Sequence, residues 1–220
     1  MFKCELRELG RIGYLEALAL QRGLAEQRRQ GLIPDQLLLL EHPHTITLGR
    51  NGRIENLLGS DPALRSAGIE FQTTDRGGDI TYHGPGQVVG YPIIDLNKWK
   101  RDVRAYVRAV EQVMIDALAE FSIAAGRIPG CTGVWVDGQK IGAIGVHISR
   151  WITTHGFALN VNTDLSYFGY IVPCGLTKPV TSMAKFGVDA SVTQVHTALA
   201  KAFGRQFDRE ILIPALEKAS

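Results

Sequence analysis

Cysteine is scarce in this chain of 220 residues, and its three thiols, Cys4, Cys131 and Cys174, lie far apart. Such spacing builds no disulfide framework, which excludes the small cystine-stapled scaffolds and points to a reducing, cytoplasmic setting. Long apolar runs are missing as well. Nothing approaches the roughly 18 consecutive apolar residues of a membrane span, and Lys3, Glu5, Arg7 and Glu8 put charge where a signal peptide needs an apolar centre. Charge of one sign is also lacking: Lys and Arg outnumber Asp and Glu by only 24 to 22, so nucleic acid is not an expected partner. No glycine-rich loop ends in Gly-Lys-Ser/Thr, and Gly84-Pro85-Gly86-Gln87-Val88-Val89-Gly90 has neither the spacing nor the following helix of a dinucleotide loop. His42 and His44 have no Cys-x-x-Cys or His-Glu-x-x-His companion, and His147 and His155 add no ligand set, so neither metal nor cofactor is expected.

What is present is enough apolar residue, 45% of the chain, to bury a substantial core as one domain spanning residues 1–220. Alternation and apolar runs predict strands at Phe2–Leu9, Leu37–Leu40, Thr45–Leu48, Ile69–Thr74, Ile80–Tyr82, Val88–Leu96, Val134–Val136, Lys140–Ile148 and Trp151–Val161. Asp137-Gly138 is a two-residue hairpin signal between two of them. Helical spacing predicts Tyr14–Arg29, with Leu15, Leu18 and Ala25 on its inner face, and Asp102–Phe121, with Val103, Tyr106, Val107, Val110, Met114 and Leu118 inward. Ser60-Asp61-Pro62 and the Ser191/Gln194 capping box mark two more helix starts, and a last short helix is expected near Glu210–Lys218. Strands mixed with few helices and joined by tight hairpins predict an α/β (α+β) fold of mixed sheets with flanking helices.

The densest chemistry lies in Arg76-Gly77-Gly78-Asp79-Ile80-Thr81-Tyr82-His83-Gly84-Pro85-Gly86-Gln87, where four glycines alternate with hydrogen-bonding side chains between two extended segments. Glycine lets backbone amides approach a ligand closely, so such a run makes a binding surface. Cys174, between Pro173 and Gly175 in an expected loop, reads by itself as either a small buried hydrophobe or a nucleophile. A free thiol is only a few per cent ionised at neutral pH and needs a cation or base beside it. Cys4 and Cys131 read as structural, and His83 as a hydrogen-bonding residue that orients a substrate carbonyl or supports the nucleophile.

The run from Arg76 to Tyr91 resembles the signature of the lipoyl/octanoyl transferase and lipoate ligase superfamily. Lys140-Ile141-Gly142-Ala143-Ile144-Gly145, His155-Gly156-Phe157-Ala158-Leu159-Asn160 and Ile171-Val172-Pro173-Cys174-Gly175-Leu176 are similar to the remaining blocks of the bacterial octanoyl transferases, in the same order. The resemblance implies the catalytic-domain fold shared by biotin and lipoyl protein ligases. It also implies Cys174 as acyl-carrying nucleophile with Lys140 as its partner, and substrate contacts from Arg76, Gly77, Gly78, Asp79, Ile80, Thr81, Tyr82, His83, Ala143, Ile144, Gly145, Gly156, Phe157 and Ala158. The implied donor is octanoyl-acyl carrier protein. The implied acceptors are lipoyl domains of 2-oxoacid dehydrogenase complexes and the glycine cleavage H protein.

Two rival readings stand beside it. An ATP-dependent lipoate or biotin ligase of the same fold would activate a free acid as an adenylate and needs no cysteine. A non-catalytic acyl-binding module would leave Cys174 inert. Arg101, Arg104 and Arg108, with Lys98 and Lys100 upstream, form a basic face that is either solvated surface or a docking patch for an acidic carrier.

Overall fold

The computed structural model of the chain describes residues 2–172 and 178–213. Strand β2 (Asp35–Glu41) is its axis, because Leu37 to Leu40 are all completely buried. Leu37 and Leu39 enter one apolar cluster while Leu38 and Leu40 enter another, so this strand is covered on both faces and its apolar run is unbroken. Parallel to it lies β1 (Phe2–Arg11), reached through the crossover helix α1 (Tyr14–Arg29).

A second, smaller sheet is inserted next: β3 (Thr45–Leu48) pairs in parallel with β4 (Glu70–Thr73) and antiparallel with β5 (Ile80–His83), while the short helix α2 (Asp61–Ser66) covers them. Then come β6 (Gln87–Ile93), α3 (Val103–Ala119), β7 (Gly126–Ile128), β8 (Cys131–Val136), β9 (Gln139–Ser149), β10 (Ile152–Asn160), α4 (Val192–Phe207) and β11 (Arg209–Leu212). The large sheet has the order β11-β1-β2-β6-β10-β9-β8-β7. Helices α3 and α4 pack on one face of it and α1 on the other.

Local rules explain most boundaries. Asp137 and Gly138 take positive φ, as a two-residue hairpin turn requires. Asp102 caps α3 by accepting from the Ala105 amide, and Ser191 and Gln194 form the reciprocal capping box of α4. Ser60 precedes α2 but makes no side-chain cap; Pro62 in the first turn is the start signal that operates.

Four expectations change. Residues 210–212 form an edge strand paired with β1, while 214–220 lie outside the described residues. Asp208 ends α4 in the left-handed conformation and turns the chain onto that open edge. Leu15 is exposed, because the buried face of α1 is Tyr14, Ala17, Leu18, Gln21 and Leu24. Its centre is a glutamine, which apolar spacing cannot flag; Gln21 Oε1 accepts the buried His155 amide at 2.7 Å. Ala25 lies only at the margin of that face. Val103, the first residue of α3, is exposed, and the inward stripe begins at Tyr106.

The edge strand is held by charge. Arg209 Nε donates to Asp35 at 2.7 Å, and Arg28 Nε donates to the other carboxylate oxygen at 2.6 Å, with Arg209 and Asp35 each 1% exposed at the side chain. Removing Asp35 leaves the buried Arg209 guanidinium uncompensated, which costs about 3–5 kcal/mol. Asp35→Ala is therefore expected to lower the unfolding free energy measured in urea by about 3–5 kcal/mol. Arg11→Ala, which removes the exposed partner of Glu41, should change stability by less than about 1 kcal/mol.

Candidate active site

A cavity of about 480 Å³ opens between the large sheet and the glycine-rich loop, within the size range of small-molecule sites. Its floor exists because β9 and β10 carry almost no bulk on that face. Ala143 pairs with Ala158 and Gly145 with Gly156, two successive rungs of small residues. Val89 and Tyr91 of β6 continue the floor. The roof sits directly on Gly145: a Cβ there would come within 2.8 Å of the Gly77 carbonyl, and Gly77 N–H donates to Val146 O at 2.9 Å. Gly78 has φ +86°, which bends the loop over the floor.

Arg76 anchors this roof rather than reaching across it. The side chain is buried, its Nε and Nη2 donate to Thr47 Oγ1 at 3.1 and 2.8 Å, and Nη2 also donates to the Thr47 carbonyl at 2.6 Å. Asp79 accepts from the Arg53 amide at 3.0 Å and from Asn56 Nδ2 at 2.5 Å. Gly77, Gly78, Ile80, Thr81, Ile144 and Phe157 also line the cavity. Tyr82 does not. Side chains alternate along β5, so Tyr82 points into the cluster beneath the small sheet and its hydroxyl bonds His44 Nδ1 at 2.8 Å.

Lys140 stands at one end of the cavity, near the start of β9. Its amide donates to Pro179 O and its carbonyl accepts from Thr181 N, both at 2.9 Å. Its Nζ lies 4.8 Å from the centroid of the Trp135 ring, and Lys178 Nζ lies 5.6 Å from that same ring. Cys174 falls outside the described residues. Of the described positions around it, Val172 N–H donates to Asn56 O at 2.8 Å, so it is tied through Asn56 to Asp79, and residues 179–181 lie against Lys140.

Residues that the sequence did not single out complete the walls. Tyr14, Tyr91 and His155 close one part of the cavity. His155 is buried, with Nε2 at 2.9 Å from Asp75 Oδ1 and a left-handed backbone, φ +55°. Beyond Gly142, β9 has no β8 partner in register, and through this gap Val107, Cys131 and Thr132 reach the cavity. Cys131, read as structural, is a half-buried free thiol in the cavity wall, whereas Cys4 is fully buried and its thiol is pushed far above the usual range by burial. Tyr14 was marked only as the start of a helix, Tyr91 only as the last residue of the Arg76–Tyr91 run, and Cys131 only by its isolation.

His83 lies in the cavity wall with Nδ1 at 2.8 Å from Gln87 Oε1, its ring stacked on Tyr14. Burial, followed by the nearby charges of His42 and Arg76, pushes its pKa down to about 3. His42, between Ile12 O at 2.8 Å and the Tyr91 hydroxyl at 2.7 Å, is pushed down to about 4 by burial. Both imidazoles are neutral at physiological pH. The basic face lies elsewhere: Arg101 is bonded to Asn97 and Arg108 to Glu111, and neither lines the cavity. Among the described residues no group of three His, Cys, Asp or Glu is placed to hold a metal, and no helix is long and apolar enough to cross a membrane.

Comparison with known proteins agrees with this architecture. The model of the lipoyl protein ligase A/B catalytic domain matches residues 13–204. An octanoyltransferase from Solibacter usitatus (strain Ellin6076) is 65% identical over 212 residues, which cover 96% of this chain and 96% of that protein. A lipoate-protein ligase A bound with ATP superposes with a TM-score of 0.79 at 18% identity, over 98% of this chain and 90% of that one. A biotin protein ligase from Aquifex aeolicus gives 0.55 at 14% identity, over 94% and 70%. Identities this low show the shared fold, which is the one expected from the sequence.

The two depressed histidines set a pH dependence. Each binds a proton more weakly folded than unfolded, so the unfolded chain takes up protons first as pH falls. Their stabilisation is complete above the unfolded value near 6.5 and drains away down to about 4 for His42 and about 3 for His83. Each adds a slope of up to about 1.4 kcal/mol per pH unit in that window. Urea midpoints are therefore expected to fall steadily from pH 7 to pH 5. His42→Gln, which keeps a donor for Ile12 O and an acceptor for Tyr91, should flatten the slope.

Proposed function

The chain belongs to the lipoyl protein ligase A/B catalytic-domain family and is an acyltransferase of the octanoyltransferase kind, and from that premise we propose that it moves an octanoyl group through a thioester on Cys174. One observation carries the reading: a floor of paired glycine and alanine rungs makes an acyl-sized, largely apolar slot that Lys140, alone of the lysines among the described residues, also lines. Each methylene buried there is worth about 0.8 kcal/mol, so a fatty chain is held by the slot rather than by its polar end. The acceptor is a lipoyl domain and the donor an acyl thioester. More specifically, we take the donor to be octanoyl-acyl carrier protein, and the acceptors to be lipoyl domains of 2-oxoacid dehydrogenase complexes and the glycine cleavage H protein, in the cytoplasm.

The chemistry balances in two steps. The Cys174 thiolate attacks the thioester carbonyl, a tetrahedral oxyanion forms, and the carrier thiolate leaves with a proton from the Lys140 ammonium. The product is an octanoyl-S-enzyme beside a neutral lysine. The acceptor lysine amine then attacks that thioester, Cys174 leaves as thiolate, and Lys140 takes the proton lost by the new amide nitrogen. The ion pair is thereby restored. Thioester exchange is close to isoenergetic and amide formation runs downhill, so no nucleotide is required. An ATP-dependent ligase reading would instead need adenylate formation from free octanoate.

Intact mass after mixing the protein with octanoyl-acyl carrier protein is expected to show one octanoyl adduct, removed by hydroxylamine and absent from Cys174→Ser. An octanoyl adenylate formed from octanoate and ATP, with no protein adduct, would establish the ligase reading instead. Lys140→Met should lower turnover by about 10²–10⁴-fold and move alkylation of Cys174 to higher pH, because the thiolate loses its ammonium partner. Unchanged alkylation kinetics would remove Lys140 from the pair.

A further inference from the structure

A buried chain of hydrogen bonds runs from His83 through Gln87 and Asn160 to the Thr181 carbonyl, and its polarity is fixed by the carbonyls of Thr181 and Tyr82. Asn160 faces Thr181 O at 2.9 Å, and a carbonyl only accepts, so the amide nitrogen Nδ2 lies there and Oδ1 points to Gln87. Gln87 faces Tyr82 O at 3.1 Å, which independently places its nitrogen Nε2 on that side, where it also donates to Asn160 Oδ1 at 2.9 Å. Oε1 of Gln87 is then the atom 2.8 Å from His83 Nδ1. An amide oxygen has no proton to give, so the imidazole must donate from Nδ1. In a neutral ring the other nitrogen, Nε2, then holds a bare lone pair. It has no partner among the described residues. The enclosed partnerless ring nitrogens are His155 Nδ1 and His196 Nε2; His83 Nε2 is not one of them, and His83 lines the cavity.

A lone pair in that position repels a thioester carbonyl, which is itself an acceptor, and suits a hydrogen-bond donor instead. We propose that His83 Nε2 is the docking point for the attacking amine: it accepts one N–H of the acceptor lysine and aims the nitrogen lone pair at the thioester, while Gln87 and Asn160 are positioning residues that hold the required tautomer. The proposal rests on the acyl-enzyme reading above and assigns the amine a place within it. Proton removal stays with Lys140, because an imidazole whose proton affinity is depressed as far as His83's is a weak base but still a competent hydrogen-bond acceptor. Thr181 also donates its N–H to the Lys140 carbonyl at 2.9 Å, so the residue that ends the chain is hydrogen-bonded to the backbone that carries the lysine.

Nitrogen-15 NMR of the full chain with labelled histidine, the His83 signals assigned by their loss in His83→Asn, reads the tautomer with no substrate present. The expected result is a protonated Nδ1 and a bare Nε2 from about pH 5 to pH 8. An Nε2–H tautomer or an imidazolium in that range overturns the proposal. In single-turnover assays, Gln87→Leu is expected to slow transfer from the octanoyl-enzyme to a lipoyl domain about tenfold more than it slows formation of that enzyme. Equal slowing of both steps overturns the role in amine docking. The two failures are separable from failure of the acyl-enzyme reading, since the spectrum is taken on the free protein and the adduct is detected by mass.

Discussion

Two rungs without side-chain bulk make the rest of this molecule intelligible. Where Ala143 meets Ala158 and Gly145 meets Gly156, the twisted sheet has a trough instead of a packed face. The glycine-rich loop closes over it only because Gly145 carries no Cβ to strike Gly77. A packed interior tolerates few voids, so a trough of this size between well-buried elements has to be framed by side chains fixed elsewhere. Arg76 on Thr47 and Asp79 on residues 53–56 supply that frame on the roof side. Beneath the trough, the opposite face of the sheet is backed by α3 and α4.

Around the trough lie polar groups that burial would penalise if they were left unmatched. Tyr91, His42, His83, Gln87 and Asn160 are each hydrogen-bonded, mostly to one another or to backbone carbonyls. Low local polarity makes such a network costly to break and leaves it essentially one arrangement. It also keeps the histidines neutral. Rigid walls whose charged members, Arg76 and Asp79, are hydrogen-bonded into the roof suit an apolar chain.

Strands β2, β6, β9 and β10 and helix α4 were legible because apolar spacing, the Asp137-Gly138 turn and the Ser191 capping box all act locally. The run from Arg76 to His83 was legible as a binding segment because glycine density has few other uses. Tyr82 packs beneath the small sheet and off the cavity, since a run of adjacent residues says nothing about which alternate members face inward. Residues 210–212 were misassigned because Glu-Ile-Leu suits helix or strand, and the free edge of β1 decided.

The amino-acid order by itself determined the class of fold and the segments that line the cavity, because those depend on residue type and short-range spacing. Only the tertiary structure decided that Tyr14, Tyr91, Cys131 and His155 share one cavity with Lys140, and that His83 offers a lone pair rather than a proton. Both follow from long-range register: which strand lies beside which, and which backbone carbonyl faces which amide. Those quantities are set by the packing of segments more than 70 positions apart, such as Gln87 against Asn160, and no local pattern encodes them.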